Sequence, residues 1–509
     1  MRNNLVKKIL MFVFTLLLLI IFVAFFYYNE NNSCLGIKLI SPKDTAFLEN
    51  EKNVDIMDKI FFCNEHVPID KSNSTIFLPQ YINEHSETKD LQGFLSIKDP
   101  DYNLFFLKDE YFDDLGAAIK ESHKFKLYAV DLNNDFIIYN VIFTTLPVMK
   151  IDTIEAPEIE NGKVNGNMVL FPSNATNDDF SQIEHSRLEI HVRGNTTSRL
   201  WKKPYKISLK NKNGNNKNIN LLGMGSDDDW ILNAMYVDDS KMREKLFMDL
   251  WNEMCKKDTY NYHMSNSKYV ELVLNDEYKG LYLLQNRIDK KYLGLNDDDI
   301  LLKGGEFDEN GSTDYSFLIK YSNLNSQETY HIIDEMLLDT NLSFYNKNNI
   351  IDIFLYLQLF SANDNLSFKN MYYILKRADN NNCLILLPWD TDVSLGILWD
   401  DDLCDYVLDY DLASNIKLSR PEMETLLDKY PGLQKIISKR WLELEGTILS
   451  EDNIIYHIKE LNDYLEKSGS FDRDRDVWGS FRETNNIEEN MIDFVKKRIK
   501  WMNDNYSSN

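Results

Sequence analysis

Cysteine is scarce and scattered: five in 509 residues, at Cys34, Cys63, Cys255, Cys383 and Cys404. None stands in a C-x-x-C pair, which argues against a zinc site. In an exported chain an odd count leaves at least one thiol unpaired. Cys34 and Cys63 are one pair a disulfide would use, which sequence does not establish, and Cys383 reads as core within an apolar strand. Of the eight histidines, none falls between Leu355 and Trp399, the stretch with the densest candidate chemistry. That stretch has no imidazole to activate water. Positive charge is also in short supply, with 56 Lys and Arg against 81 Asp and Glu and a formal net charge of -25. Phosphate backbones are held by clustered Lys and Arg, so nucleic acid is excluded as the main partner. A basic protein partner fits this balance, and so does simple solubility.

The N-terminus lacks a small-residue cleavage site. Arg2, Lys7 and Lys8 precede a nearly unbroken apolar run from Ile9 to Tyr28, followed by NENNS. A run of that length spans a bilayer as a helix, and a basic N-terminal flank stays in the cytoplasm. Residues 1–30 are therefore predicted to be an uncleaved anchor, with the bulk of the chain extracytoplasmic. A cleaved signal peptide would put the chain on the same side, unattached. Cys34 lacks the small apolar residues that precede a lipidated cysteine.

The hydrophobic fraction of 43% leaves room for two or three cores in a chain of this length. Residues 36–147 carry short apolar segments between Asp/Asn turns, the pattern of a small β-rich, sandwich-like module. One stretch in it, YFDDLGAAIKES, reads as helix. No catalytic constellation appears there. From Val148 the pattern is α+β: strands at VMKIDTIE and GNMVLFP, an amphipathic helix over KMREKLFMDLWNEM begun by Asp239 and Ser240, and a hairpin over KYVELVLNDEYKGLYLLQNRID. After Asp299 the chain turns helical apart from one hairpin.

That hairpin carries the candidate chemistry. The apolar helix IIDIFLYLQLF ends at Ser361, and Asp364 and Asn370 follow. MYYILKR, a polar turn at Asp379–Asn382 and CLILLPWD then lead to Asp390-x-Asp392. Asp and Asn are common in turns, and any one of them alone reads as a turn residue. Together, at the ends of an apolar helix and an apolar strand, they form an oxygen set suited to a hard cation such as magnesium. In protein kinases an Asp orients the attacking hydroxyl, an Asn shortly after it binds metal, and an Asp beyond the next hairpin binds metal again. The order here is the same. Upstream, Arg193, Gly194, Asn195, Thr196 and Thr197 form a turn before a strand with Lys202, Lys203 and Lys206. Such a turn with an adjacent strand lysine can hold phosphates. Taken alone, this segment reads more simply as a hairpin with solvated lysines. Trp389 and Tyr205 have the ring size to stack on a base, and core packing explains each equally well.

Several blocks resemble, in order, the CotH family of spore-coat protein kinases. They are RGNTTSRLWKKPYKISL, LLGMGSDDDWIL, the Asp-Asp-Ser-x-x-Arg helix, VELVLNDEYKGLYLL, the NDN…KN stretch and PWDTD, with RWLELEGTILSEDNI and FVKKRIKWMND in the tail. The resemblance covers roughly Val148 to Asn503. It implies an atypical, two-lobed kinase-like domain over 148–509, ATP with Mg2+ or Mn2+ as cofactors, and phosphate transfer to Ser or Thr of coat or surface proteins, Ser-rich and basic in the best case. Position by position, Asp364 resembles the catalytic aspartate. Asp390 and Asp392 match the Trp-Asp-x-Asp carboxylates that hold metal, and Asn370 the second metal ligand. Lys203 or Lys206 would meet the phosphates, with Arg193 beside them. The family's Glu after the GLYLL strand is Asn286 here, and Glu244 or Glu253 could stand in for it. The spacing from Asp364 to Asn370 is one residue longer than in the kinase catalytic loop. The rival readings are a non-catalytic coat or surface assembly protein on the same fold and a metal-dependent hydrolase using the same carboxylates.

Overall fold

The computed structural model describes residues 38–40, 42–80, 95–107, 124–154, 158–159, 162–173, 183–194, 196–304, 317–339, 343–365, 370–378, 381–397, 429, 431–482 and 485–507. The chain divides into two compact units, one formed by residues 1–145 with 173–182, the other by 146–172 with 183–509. In the first, a six-stranded sheet is built on the Lys124–Asp131 and Phe136–Thr144 hairpin, and a three-stranded sheet holds Ile60–Phe62, Glu65–His66 and Leu95–Ile97. Phe106, Phe125 and Phe143 form its aromatic core, with ring centroids 5.7–6.4 Å apart. The expected helix at YFDDLGAAIKES lies outside the described residues, as does Cys34. Cys63, Cys255 and Cys383 are free thiols.

The second unit begins with a closed seven-stranded barrel. Its strands run Val148–Thr153, Val164–Phe171, Glu184–Val192, Tyr205–Lys210, Asp229–Asn233, Glu277–Asn286 and Ser267–Leu274, and the last pairs in parallel with the first. Side chains alternate across a strand, so every second residue faces in. Met149 and Ile151, Leu188 and Ile190, Ile207 and Leu209, Trp230 and Leu232, Leu272 and Leu274, and Tyr282 and Leu284 all meet in one interior cluster. The intervening residues Ile231, Tyr269, Leu281 and Leu283 belong to a different, larger core on the barrel's outer face. GLYLLQN is apolar nearly throughout because this strand is buried on both faces.

The outer core is filled first by the helix Arg243–Cys255, whose Leu246, Phe247, Leu250, Trp251 and Met254 are fully buried. Asp238 organises its start, one residue before the pair expected from the sequence. One carboxylate oxygen accepts from the Ser240 amide at 2.9 Å and the Arg243 guanidinium at 2.6 Å, and the other accepts from the Arg243 amide at 2.9 Å. Next comes the helix Lys347–Phe360, with twelve of its fourteen residues buried. Its Tyr356 ring lies 4.6 Å from Phe247 and 5.1 Å from Trp251. A four-stranded antiparallel sheet (Phe317–Tyr321, Ile300–Gly304, Met371–Ala378, Asn381–Pro388) lies beyond. The helices Pro431–Glu445, Glu451–Ser468, Ser470–Trp478 and Ile487–Tyr506 complete the unit.

One part of the expected fold class is sharpened and another corrected. The sheet-rich lobe expected after Val148 is a closed barrel, a closure the sequence reading did not specify. Among the described residues no helix is long and apolar enough to cross a membrane, so the transmembrane helix, and the anchored extracytoplasmic location built on it, are withdrawn. The run Ile9–Tyr28 itself lies outside the described residues. The two longest described helices show the physical difference. Glu451–Ser468 and Ile487–Tyr506 bury one apolar face and carry Asp, Glu and Lys on the other, as helices of a globular unit do.

The barrel interior should be the stability-limiting core. Trp230 is fully buried and its indole N–H donates to the Asp227 carbonyl at 3.2 Å. Trp230→Ala should cost about 3–5 kcal/mol in denaturant-induced unfolding of this unit.

Candidate active site

A cavity of about 400 Å³ opens at the end of the barrel. Its lining includes Arg193, Gly194, Thr196 and Thr197 from one turn, Asn233 to Val237 from a second, Lys303 and Gly304 from the sheet, and Asp364, Asn370, Asp390 and Asp392. Residues spread over about two hundred positions of sequence thus share one space.

The acidic side is assembled by two short loops stitched together. The helix Lys347–Phe360 stops where Ser361 turns left-handed (φ 48°), and Asn363–Asn365 make a single 3-10 turn. Asn365 is the stitch: its amide nitrogen donates to the Asn370 carbonyl at 3.0 Å and to the Trp389 carbonyl at 2.8 Å. The Trp389 amide donates back to the Asn370 carbonyl at 2.8 Å. Asn370 in turn donates its side-chain N–H to the Asp364 carboxylate at 2.7 Å. Asn370 and Asp390 both sit at positive φ, 57° and 60°. Asn and Asp tolerate that region better than other side chains, yet it remains costly, and two such residues on one cavity wall mark a site held by its surroundings.

Negative charge accumulates here. Burial pushes the Asp392 carboxyl well above the usual carboxylate range, and the charges of Asp390, Glu244, Asp238 and Asp364 push it further. Glu244 is fully buried behind the cavity. Burial first, then Asp390, raise its carboxyl to about 7, against weaker opposing effects from Gln285, Arg193 and Asn233. Its two oxygens accept from the Gln285 amide at 3.0 Å and the Asn233 amide at 2.5 Å. Position 286, where the resemblance implies a carboxylate, faces elsewhere. Asn286 shares the strand face of Tyr282 and Leu284, which points into the barrel, whereas Gln285 points outward to Glu244. Glu253 is elsewhere, 3.5 Å from His457.

On the positive side, two of the three lysines singled out in the sequence stand apart from the cavity. Lys206 pairs with Asp229 at 2.8 Å, and Lys203 donates to the Ser198 carbonyl at 2.8 Å; neither lines the cavity. Lys202 and Lys303 do. Lys303 stands 5.8 Å from the Tyr372 and Trp389 ring centres, and burial lowers its ammonium to about 8. Arg193 lies 5.6 Å over the same Trp389 ring. Trp389, 3% exposed, is therefore a platform for two cations, and Tyr205 is barrel core stacked on Tyr282 at 6.2 Å. Neither ring lines the cavity. The signal for Lys303 was a lone lysine in the apolar strand ILLKG. Gly194, at φ 90°, is obligatory: a Cβ there would lie 2.1 Å from the Thr197 hydroxyl oxygen.

With this geometry in place, comparison with known families is informative. A family model described as CotH kinase protein matches residues 190–502, more than half of the chain, and the chain belongs to that family. Comparison with curated proteins gives no match.

Two outcomes follow from Glu244 and Asn286. A carboxyl whose folded value is raised contributes stability below its unfolded value near 4.5, and that contribution is lost as pH rises through about 7. Unfolding free energy measured with chelator present should therefore fall over that window, and Glu244→Gln should flatten the fall. Asn286→Glu should not repair a site; it buries a carboxylate in the barrel and should cost on the order of 3 kcal/mol.

Proposed function

We propose that the chain is an ATP-dependent protein phosphotransferase acting on Ser or Thr of a protein substrate. The observation that carries this reading is a single cavity with a cluster of hard oxygen donors on one wall and Arg193, Lys303 and the Gly194–Thr197 turn on the others. Nucleoside triphosphate chemistry needs that division, because the transferred phosphoryl is stabilised almost entirely by position and charge.

A divalent cation fits the donor set. Among the described residues no three His, Cys, Asp or Glu side chains gather closely enough to enclose one unaided. Magnesium is usually held by one or two carboxylates completed by substrate phosphates, so Asp390 and Asp392 are an adequate protein share. Asn370 spends its amide nitrogen on Asp364, which leaves its oxygen as the third ligand. The negative charge that raises the Asp392 carboxyl is what such a cation relieves. When bound, it neutralises charge on the phosphates.

The protein's own groups do the rest. Arg193 and Lys303 receive phosphate oxygens, and Lys303 keeps its proton at neutral pH although burial lowers it. The Gly194 turn lets backbone approach the anion. Asp364, oriented by Asn370, accepts the proton of the Ser or Thr hydroxyl as its oxygen bonds to the γ-phosphorus. The bond from that phosphorus to the bridging oxygen breaks, and ADP leaves. A basic substrate suits a chain of net charge -25.

Full-length protein with labelled ATP and Mg2+ or Mn2+ should place label on Ser or Thr, of itself or of a basic Ser-rich peptide. Asp364→Ala and Asp390→Ala should each lower transfer by about 100-fold or more, while Asp101→Ala, on the exposed surface of the other unit, leaves it unchanged. Release of free phosphate without protein label would favour a hydrolase. Absence of nucleotide binding by calorimetry would leave the binding-scaffold reading.

A further inference from the structure

One lysine of the cavity lining, Lys202, has its partner far along the chain. Lys202 is fully buried, and its ammonium donates to the Asp474 carboxylate and to the Leu281 carbonyl. An ammonium has three donors, so one N–H is left uncommitted. The Tyr282 ring lies 4.7 Å below it. Asp474 belongs to the short helix Ser470–Trp478, the last but one in the chain's described residues. The oxygen that meets Lys202 also accepts the Leu281 amide at 2.9 Å, and the other lies 3.5 Å from the Lys241 ammonium. Lys241 donates to the carbonyl of Met235, a cavity residue, at 3.0 Å. Two ammonium groups share one carboxylate, which leaves an excess positive charge buried beside the cavity.

The fold is shaped around this contact. Gly280 has φ 85°, and a Cβ there would lie 2.3 Å from Asp474 Oδ1. The segment that follows the helix holds the same cavity wall. Trp478 donates its indole N–H to the Lys279 carbonyl at 2.9 Å. The Phe481 and Arg482 amides donate to the Asp239 carboxylate at 2.9 and 3.0 Å, and the Arg482 guanidinium donates to the Val237 carbonyl at 2.8 Å. The Tyr236 and Phe481 rings meet at 5.6 Å. Tyr236 and Val237 both line the cavity.

We infer that Asp474 is the positioning residue for Lys202, and that residues 470–482 complete the phosphate-binding side of the cavity. The carboxylate that the resemblance placed at position 286 has its counterpart, for this lysine, on the helix Ser470–Trp478. The segment adds no atom to the reaction. It keeps an ammonium charged and fixed in a dry wall, where a mobile lysine would shed its proton or turn to solvent. The inference rests on the nucleotide reading of the site.

The test separates charge from shape. Calorimetry on the full chain with Mg2+ compares ATP with adenosine, which lacks the phosphates, for native protein, Asp474→Asn, Lys202→Met and the double variant. Asparagine keeps the shape and still accepts the Leu281 amide. The expected result is an ATP affinity at least about tenfold weaker in each single variant, adenosine affinity within about twofold of native, and no further loss in the double variant, because the two residues act as a unit. Parallel loss of ATP and adenosine binding would make Asp474 a merely structural residue and overturn the inference. So would unchanged ATP binding, or additive losses. If Asp474→Asn does not melt cooperatively, Lys202→Met decides alone: it must weaken ATP without weakening adenosine. Failure of the native chain to bind either ligand would overturn the nucleotide reading and this inference together, whereas native binding that ignores Asp474 and Lys202 would overturn this inference only.

Discussion

The strand Glu277–Asn286 is buried on both faces, and much of the larger unit depends on it. Inward, Tyr282 and Leu284 close the barrel interior; outward, Leu281 and Leu283 join the helical core. A strand in that position cannot shift its register by one residue without exchanging two incompatible sets of neighbours. The same strand therefore fixes three polar relationships of the cavity region. Gln285 meets Glu244, the Leu281 carbonyl meets Lys202, and Gly280 gives Asp474 room to approach. Rigid hydrophobic packing on both sides converts one strand into the alignment device for groups of opposite charge.

Charge in the cavity is segregated by sign. The carboxylates gather where the helix Lys347–Phe360 and the Met371–Pro388 hairpin end, and their charge adds to burial in raising the carboxyls of Asp392 and of Glu244 behind them. The cations stand on other walls, with Arg193 and Lys303 over aromatic rings and Lys202 against Asp474. Elsewhere in the unit, buried charges are neutralised locally. Asp352 is bound by Arg440, Tyr260 and Asn261, and Glu271 by Arg473 and Tyr278. Arg193 and Lys303, by contrast, stand over aromatic rings, so groups of both signs line the cavity.

Local signals in the sequence were strong where the physics is local. The hairpin Met371–Ala378 with Asn381–Pro388 follows from two apolar runs around a polar turn. The hairpin through Asn275 and Asp276 follows from a turn pair that tolerates positive φ, here 54° and 58°. The Arg243–Cys255 helix follows from its apolar spacing, although Asp238 rather than Asp239 organises its start. Ordered blocks of residues were enough to recognise the CotH family, because their succession survives without any knowledge of contacts.

Which side chains face the cavity was a different matter. Lys202, Lys203 and Lys206 are near neighbours in sequence, but only Lys206 lies on the strand Tyr205–Lys210; the other two precede it, where no alternation sets their direction. Barrel closure, through the parallel pairing of Val148–Ile151 with Glu271–Leu274, decides which side is interior. Glu244 meets Gln285 across 41 positions because the helix Arg243–Cys255 packs on the outward face of that strand. Asp474 reaches Lys202 across 272 positions, a distance over which no periodicity carries information. The sequence by itself determined the strands, the turns, the apolar faces and the family, since each depends on neighbours a few residues apart. Only the tertiary structure decided which lysine, which carboxylate and which helix meet at the cavity, because those choices depend on how buried faces dock and on which charges the docking leaves without water.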